Sequence, residues 1–471
     1  MKNKFACLFV FALAAFAGCT KQLDKQPIST IPEDSYYKND EQVEAGVVGA
    51  YAALRDVYNN DYVLAGLRSD DSYISDAEGD QNQIDGFNER TTNSYVSTYW
   101  NAAYFAIKQS NIVIQYLPNV SDAGNKARFE AEARFIRAHM YFNLVRLWGD
   151  VPLVLSNVTY TDPIAKTRVP KADVYAQIIN DFKFAIANLP ADRTMGQEGR
   201  VTKAAAKGML AKVYLTIKDY PNARLLLQDL IDNPGIHKLM TSFKSVFPPN
   251  EMNEEIMYAV RYKANSNGMG QTFTYQLDKV TGSAGYRSAS DYRGKYVTAD
   301  SFRKATTFVL YGTSYYNAGK YLEPGAPRND AGADFIVLRW ADILYMYAEV
   351  VNEMDGTTVA TGSAPAAALL QFNKVRSRAM PATTPYTVTT TAVRTKDAFR
   401  TIIKAERRLE FGVESQRWYD LLRWDDAVTA MNAHFTTRGL PIVVKPYQVL
   451  YPIPQTQIDI SQGVLKQNPG Y

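Results

Sequence analysis

The chain of 471 residues has little cysteine and little histidine: Cys7 and Cys19 are the only cysteines, and His139, His237 and His434 the only histidines. Both cysteines fall within the first nineteen residues, so the body of the chain has no disulfide framework and its fold must rest on packing. Three histidines far apart in sequence leave little material for a histidine-rich metal site or a His-based catalytic triad. Long apolar runs are missing too. No stretch of 18 or more apolar residues occurs, so nothing reads as a membrane-spanning helix. The net charge is small, +4 over the whole chain, which argues against nucleic acid as a partner. What is abundant is tyrosine, with 32 copies in an otherwise ordinary composition of 46% hydrophobic and 21% charged residues.

Lys2 and Lys4 precede an apolar core over 5–16, and Ala17 and Gly18 lead directly into Cys19. A basic start, a short apolar core and small residues at the end are the marks of an export signal. The junction resembles the lipobox of bacterial lipoproteins, with Phe16 where that motif prefers leucine. The resemblance implies that residues 1–18 are a signal peptide, that Cys7 leaves with it, and that Cys19 becomes a lipidated N-terminus. Loss of Lys2 and Lys4 takes the net charge from +4 to +2. Buried acyl chains contribute about 0.8 kcal/mol per CH₂, enough for several chains to hold a protein firmly at a membrane surface. Residues 19–38, polar and punctuated by proline, read as a flexible tether, and 39–471 as one domain.

That domain is mainly α in pattern. Apolar positions at helical spacing predict helices over 40–56, 100–117, 125–148, 171–189, 202–218, 221–233, 337–354, 364–379 and 396–424. In the third, Phe129, Ala133, Ile136, Met140, Leu144 and Leu147 form one apolar stripe that Gly149 ends. Around 207–235, Leu210, Ala211, Tyr214, Ala223, Leu227 and Leu230 fall at the spacing of a tetratricopeptide unit. Helices 337–354 with 364–379, and 125–148 with 171–189, give two further candidate pairs. The expected architecture is a superhelix of about four tetratricopeptide-like helix pairs, its repeats separated by insertions. The insertions fall at 57–99 and 235–336, rich in Gly, Asn, Asp, Ser and Tyr, with strand-like pieces such as EIMYAVRY. Insertions this long are usually functional or disordered, and the second is too aromatic for disorder.

Six ordered segments resemble the SusD/RagB family of outer-membrane nutrient-uptake lipoproteins. They are EARFIRAHMYFNLVRLWGDVPLV (132–154), RVTKAAAKGMLAKVYL (200–215), VLRWADILYMYAE (337–349), FNKVRSRA (372–379), IIKAERRLEFGVESQRWYDLLRW (402–424) and the C-terminal LYPIPQTQIDISQGVLKQNPGY (450–471). The resemblance implies a cell-surface lipoprotein that binds an oligosaccharide, or a peptide in the RagB branch. It also implies action as a lid over a SusC-like TonB-dependent transporter, with no catalysis and no cofactor. The 271–321 region, including YRGKYVTADSF, departs most from the family pattern and leaves the ligand open.

Three constellations carry chemistry. Glu406, Glu410, Glu414 and Arg417 fall at i, i+4, i+8 and i+11 of the predicted 396–424 helix, where carboxyls could form a glycosidase pair. Neighbouring turns of one helix give no open cleft, so these acids read instead as a structural network with Arg407, Arg408, Arg417 and Arg423, and Trp418 and Trp424 as core. Asp76, Glu78, Asp80 and Asn82 alternate as in a calcium loop, but Gly79 and Phe87 break the EF-hand pattern, so the segment reads as a solvated loop and no metal is expected. The tyrosine-rich loops are the stronger site. A pyranose stacks its C–H face on an aromatic ring while its hydroxyls need planar polar partners. Candidate contacts are Tyr73, Tyr95, Tyr275, Tyr286, Tyr292 and Tyr315, with Asp71, Asn82, Arg287 and Arg293. Trp100 and Asn101 join them, although Trp100 reads better as core.

Overall fold

The computed structural model describes residues 33–471 apart from 75–78, 159–161, 163–166, 250, 267, 278–285, 312–314, 324–328, 357–363 and 381–386. The signal segment, Cys19, the tether up to residue 32, Asp76 and Glu78 lie outside the described residues. Eight helices build the scaffold in four antiparallel pairs: α1 (Asp40–Asp61) with α2 (Ser94–Tyr116), α3 (Ala123–Trp148) with α4 (Lys171–Asn188), α5 (Lys203–Thr216) with α6 (Tyr220–Asp232), and α7 (Trp340–Asp355) with α8 (Ala364–Arg378). The second helix of each pair lies against the first of the next, so the pairs stack in chain order around one continuous core. The predicted mainly α, tetratricopeptide-like superhelix is therefore the observed one.

Local chemistry sets the helix starts. Side chains of Asn39, Asn93, Asp122, Thr202 and Asp219 each accept a hydrogen bond from a first-turn N–H of α1, α2, α3, α5 and α6. The Asn93 cap starts α2 six residues before the expected Trp100, and α1 continues past 56 to Asp61 and a fully buried π-helical turn, Tyr62–Leu67. The first insertion thus begins after 67 rather than at 57. Gly208 on α5 faces Leu338 and Ile343; a Cβ there would lie 2.6 Å from Leu338 Cδ2, so the small residue permits the close approach.

Two predicted helices are divided. FIVLR, at the start of the expected 337–354 helix, is a fully buried strand, Phe335–Arg339, paired antiparallel with Ile256–Val260 inside the EIMYAVRY segment, and α7 starts only at Trp340. The expected 396–424 helix breaks into α9 (Lys396–Phe411) and α10 (Arg417–Arg423), because Val413 and Ser415 adopt φ values of +69° and +55°. Gly412 at the break packs on the Tyr292 hydroxyl so tightly that no Cβ could fit.

That break overturns the expected local pairing. Glu414 no longer continues the Glu406–Glu410 stripe, and the three glutamates find partners far along the chain. Arg303 bonds Glu406 at 2.8 Å and Glu410 at 3.1 Å, and Arg339 bonds Glu410 at 2.7 Å, Glu414 at 2.8 Å and Glu255 at 3.0 Å. Arg376 reaches Glu406, Arg378 joins Glu255 to Glu410, Lys320 holds Glu414 at 2.6 Å, and Asp300 completes the group on Arg303. Five cations face five anions, all with side chains no more than 15% exposed. The arginines expected to pair locally go elsewhere: Arg407 to Asp342 and Asp420, Arg408 to Asp71, Arg417 to Asp70, and Arg423 to Glu349 and Asp420. Trp418 is fully buried, as expected, while Trp424 is only half-buried and donates its indole N–H to Glu349.

Removing one member of a buried ion cluster strands its partners, which typically costs about 3–5 kcal/mol. Glu410→Ala should lose about that much in equilibrium urea unfolding; an unchanged midpoint would show that the cluster does not stabilise the fold. A second expectation concerns pH. Burial would raise Glu410, Asp342 and Asp70, but neighbouring cations hold all three well below the usual range, led by Arg378 for Glu410, Lys212 for Asp342 and Arg417 for Asp70. Their stability is present above the unfolded carboxyl value and is lost as pH falls below it. Burial pushes Asp61, Asp85, Asp300 and Asp334 up to about 6, so what they contribute is present at low pH and lost as pH rises through about 6. Urea midpoints should therefore rise from pH 7.5 to pH 5 and fall steeply below about pH 4. Asp85→Asn should reduce the first rise, and a midpoint that falls steadily from pH 7.5 downward would contradict the assignment.

Candidate functional site

The two insertions meet. Ser72–Ile74 from the first pairs antiparallel with Tyr286–Ser288 from the second, setting Tyr73 opposite Arg287 and Ile74 opposite Tyr286. Strand alternation buries Ser72 and Ile74 and turns Tyr73 outward. The hairpin Phe308–Tyr311 with Tyr315–Ala318 packs beside this ribbon, and the short helices Asp80–Asp85 and Phe273–Leu277 flank it. Positions 73, 82, 275, 286, 287 and 315, scattered over 243 residues of sequence, are thereby brought onto one group of contacting elements. The side chains of Tyr275, Tyr286 and Tyr315 lie outside the described residues.

The described side chains give this face a mixed character. Tyr73 is half-buried and carries the Arg438 guanidinium 4.5 Å from its ring centroid. Arg438 also lies 3.7 Å from Asp85, a buried carboxyl that accepts the Ile74 N–H at 3.3 Å. Arg287 is half-buried beside Tyr73, and Asn82 is half-buried on the Asp80–Asp85 helix. Tyr95, at the start of α2, accepts from Gln81 Nε2 at 2.9 Å, and the same amide reaches Tyr62 at 3.1 Å. Asp80, read from sequence as part of a solvated loop, instead opens a helix and accepts from both the backbone N–H and the hydroxyl of Ser94. Sequence reasoning missed Gln81 and Arg438. Gln81 lay in that supposed loop, and Arg438 is 365 residues from the ring it covers.

Two candidates, Tyr292 and Asp71, are buried beneath the face, and a third, Arg293, is half-buried beside it. Tyr292 is fully buried in a small cluster with Ala289, Tyr296 and Phe308, and its hydroxyl bonds Tyr296 at 2.8 Å and the Arg408 carbonyl at 3.0 Å, so no ring face is free for stacking. Asp71 is buried and accepts from Arg408 Nε at 2.8 Å; burial and the neighbouring Asp70 raise its pKa while Arg408 opposes them. Arg293 donates to the Ser288 carbonyl and so braces the ribbon.

Trp100 and Asn101 sit elsewhere. Trp100 is 3% exposed, packed edge-on to Trp148 with centroids 5.3 Å apart, and is core. Asn101 is exposed and accepts from Gln457 at 2.9 Å in a separate groove closed by the C-terminal segment. The glutamates once considered for catalysis are equally removed: Glu406, Glu410 and Glu414 are at most 3% exposed and enclosed by cations. They form no open carboxyl pair. What the outward face offers is a ring, guanidinium groups and amides, the chemistry of reversible binding to a hydroxyl-rich ligand. Among the described residues no helix is long and apolar enough to cross a membrane, and no cluster of His, Cys, Asp and Glu is arranged to hold a metal ion.

Comparison with known proteins agrees with this architecture. The family described as "SusD family" matches residues 252–471, and that described as "Starch-binding associating with outer membrane" matches residues 21–215. A SusD-like protein of Bacteroides ovatus is 29% identical over 90% of this chain and 83% of its own, and SusD-like protein P2 of Formosa agariphila is 26% identical over the full length of both. Among solved structures, a laminarin binding SusD-like protein superposes with a TM-score of 0.75 at 25% identity, covering 92% of this chain and 100% of that one. With both halves of the chain matched in order and the same fold throughout, the protein belongs to the SusD family.

Proposed function

We propose that this protein is a cell-surface lipoprotein that captures a glycan on the face around Tyr73 and delivers it to a SusC-like TonB-dependent transporter, over which it acts as a lid. The observation that carries the reading is the joining of both insertions into one ribbon that sets Tyr73 opposite Arg287, with Arg438 on the Tyr73 ring and the helix that carries Gln81 against the ribbon. A tyrosine face and planar polar groups side by side match the two faces of a pyranose. The likeness to a laminarin binding relative supports the same ligand class. The outer-membrane wording of the matched family and the lipobox-like junction at Cys19 support anchoring at the cell surface. A tether raises the effective concentration of lid at the barrel, so modest affinities suffice. The proposed role is binding without catalysis, a reading supported by the enclosure in ion pairs of the acidic stripe that suggested a glycosidase.

The test is a soluble form starting after Cys19, incubated with neutral and acidic oligosaccharides and with a peptide mixture while retention and released products are both followed. Retention of one glycan class with no products is expected. Tyr73→Ala and Arg287→Ala should each weaken it about tenfold, the size of one lost ring or guanidinium contact of roughly 1.4 kcal/mol, with circular dichroism confirming the fold. Retention of peptides alone would move the protein to RagB-like cargo, and cleavage products would overturn the binding-only reading.

A further inference from the structure

The groove that holds Asn101 has a volume of about 280 Å³ and runs between α2, the segment 152–158 and the C-terminal helix Gln455–Ile460. Two large apolar side chains line it while half in solvent: Phe105 is 50% exposed and Ile460 49%. Its polar side chains are occupied. Asn101 accepts from Gln457, the Tyr104 hydroxyl donates to the Pro152 carbonyl at 2.8 Å, and the Ser461 hydroxyl donates to the Ile458 carbonyl at 2.8 Å. Apolar area beside polar groups that already have partners suits aliphatic side chains rather than a hydroxyl-rich ligand.

The chain arrives at this groove along α2. Tyr37 stacks on Tyr116, the last residue of α2, with ring centroids 4.9 Å apart, and the Asn119 amide donates to the Tyr37 carbonyl at 2.6 Å. Glu33 accepts from Asn157 Nδ2 at 2.9 Å and lies 3.9 Å from Lys108, about two turns nearer the start of α2 than Tyr116. From 37 back to 33 the backbone therefore follows α2 toward its N-terminus. Lys108 is the groove residue of α2 nearest Tyr116, and Asn157 lies between the lining residues Ser156 and Val158. Asn101 lines the groove about two turns further on in the same direction. Glu33 thus marks the mouth of the groove, and the course of the chain points into it.

The residues before Glu33 suit the space ahead of them. They read PISTIP (27–32), after a largely polar TKQLDKQ (20–26). Proline at both ends favours polyproline II geometry, in which three residues advance about 9 Å and place Ile28 and Ile31 on one side. Over the groove, α2 advances about 10 Å from Lys108 to Asn101. We propose that residues 27–32 occupy this groove, parallel to α2, with Ile28 and Ile31 covering Phe105 and Ile460. The docking does not rest on the glycan reading. Its consequence for reach rests on a lipid at Cys19: the free tether shortens from 19–32, roughly 48 Å when extended, to 19–26, roughly 27 Å.

The soluble form starting after Cys19 contains no cysteine, so introduced thiols report without background. Ile28→Cys, Ser29→Cys, Thr30→Cys and Ile31→Cys are made one at a time, and their rates of labelling with a maleimide are measured. Ile28→Cys and Ile31→Cys should label about tenfold or more slowly than Ser29→Cys and Thr30→Cys, the ratio expected when the docked state is populated above roughly 90%. Phe105→Ser combined with Ile460→Ser should restore fast labelling, and Phe105→Ser alone should restore part of it. Both positions are half exposed, so the fold should survive, with circular dichroism as the check. Equally fast labelling at all four positions would overturn the docking. Slow labelling at 28 and 31 that the groove variants leave unchanged would overturn the assignment to this groove. Protection that disappears on dilution, together with a dimer in size-exclusion chromatography, would assign the contact to a second copy and overturn docking within one chain.

Discussion

The structure depends on charged side chains leaving a single helix in three directions. From α9, Glu406 and Glu410 reach Arg303 in the second insertion, Arg407 reaches Asp342 on α7 and Asp420 on α10, and Arg408 reaches Asp71 in the first insertion. Ions buried this deeply are favourable only when every one is matched, because the penalty for leaving water is large and each orphaned partner adds to it. The arrangement is therefore closer to all-or-none than a set of surface salt bridges. It fixes two long irregular segments to a helical scaffold that, lacking disulfides, has no covalent means of doing so.

This anchoring bears directly on recognition. A binding face assembled from loops loses affinity if the loops must be ordered when ligand arrives. Here the inner residues of both insertions, Asp70, Asp71, Tyr292 and Arg303, are committed to α9 or to the start of α10, through Arg408, Arg417, Glu406 and Glu410. The outward residues Tyr73 and Arg287 sit one strand position away from buried neighbours. Acidic and basic residues do the holding, and tyrosine and arginine at alternate positions do the presenting.

The helical scaffold was legible in the sequence because it is written in local terms. Apolar spacing, the stop at Gly149 and the tetratricopeptide-like pattern near Leu210 each concern residues within a few turns of one another, and the helix pairs followed. The charges were misread for the opposite reason. Arg407 and Arg408 looked like partners for glutamates on the next turn, but the break after Phe411, produced by positive φ at Val413 and Ser415, gives no periodic signal, and Arg303 and Arg339 lie more than 60 residues from their partners on α9 and its continuation. The site was half legible. Composition directed attention to tyrosines, yet nothing local separates Tyr73, which alternation turns outward, from Tyr292, which Gly412 admits into the interior. Gln81 and Arg438 became visible only once the two insertions were joined.

The central claim is that α9 holds both insertions in place before any ligand is present. Residue-resolved hydrogen exchange on the ligand-free mature chain tests it most directly, by comparing the amides of 70–74 and 286–311 with those of 396–411. The account predicts that all three segments open together at high free energy, as one cooperative unit. Rapid exchange in 286–311 while 396–411 stays protected would contradict it, and would mean that the charges on α9 do not hold the second insertion in the free protein.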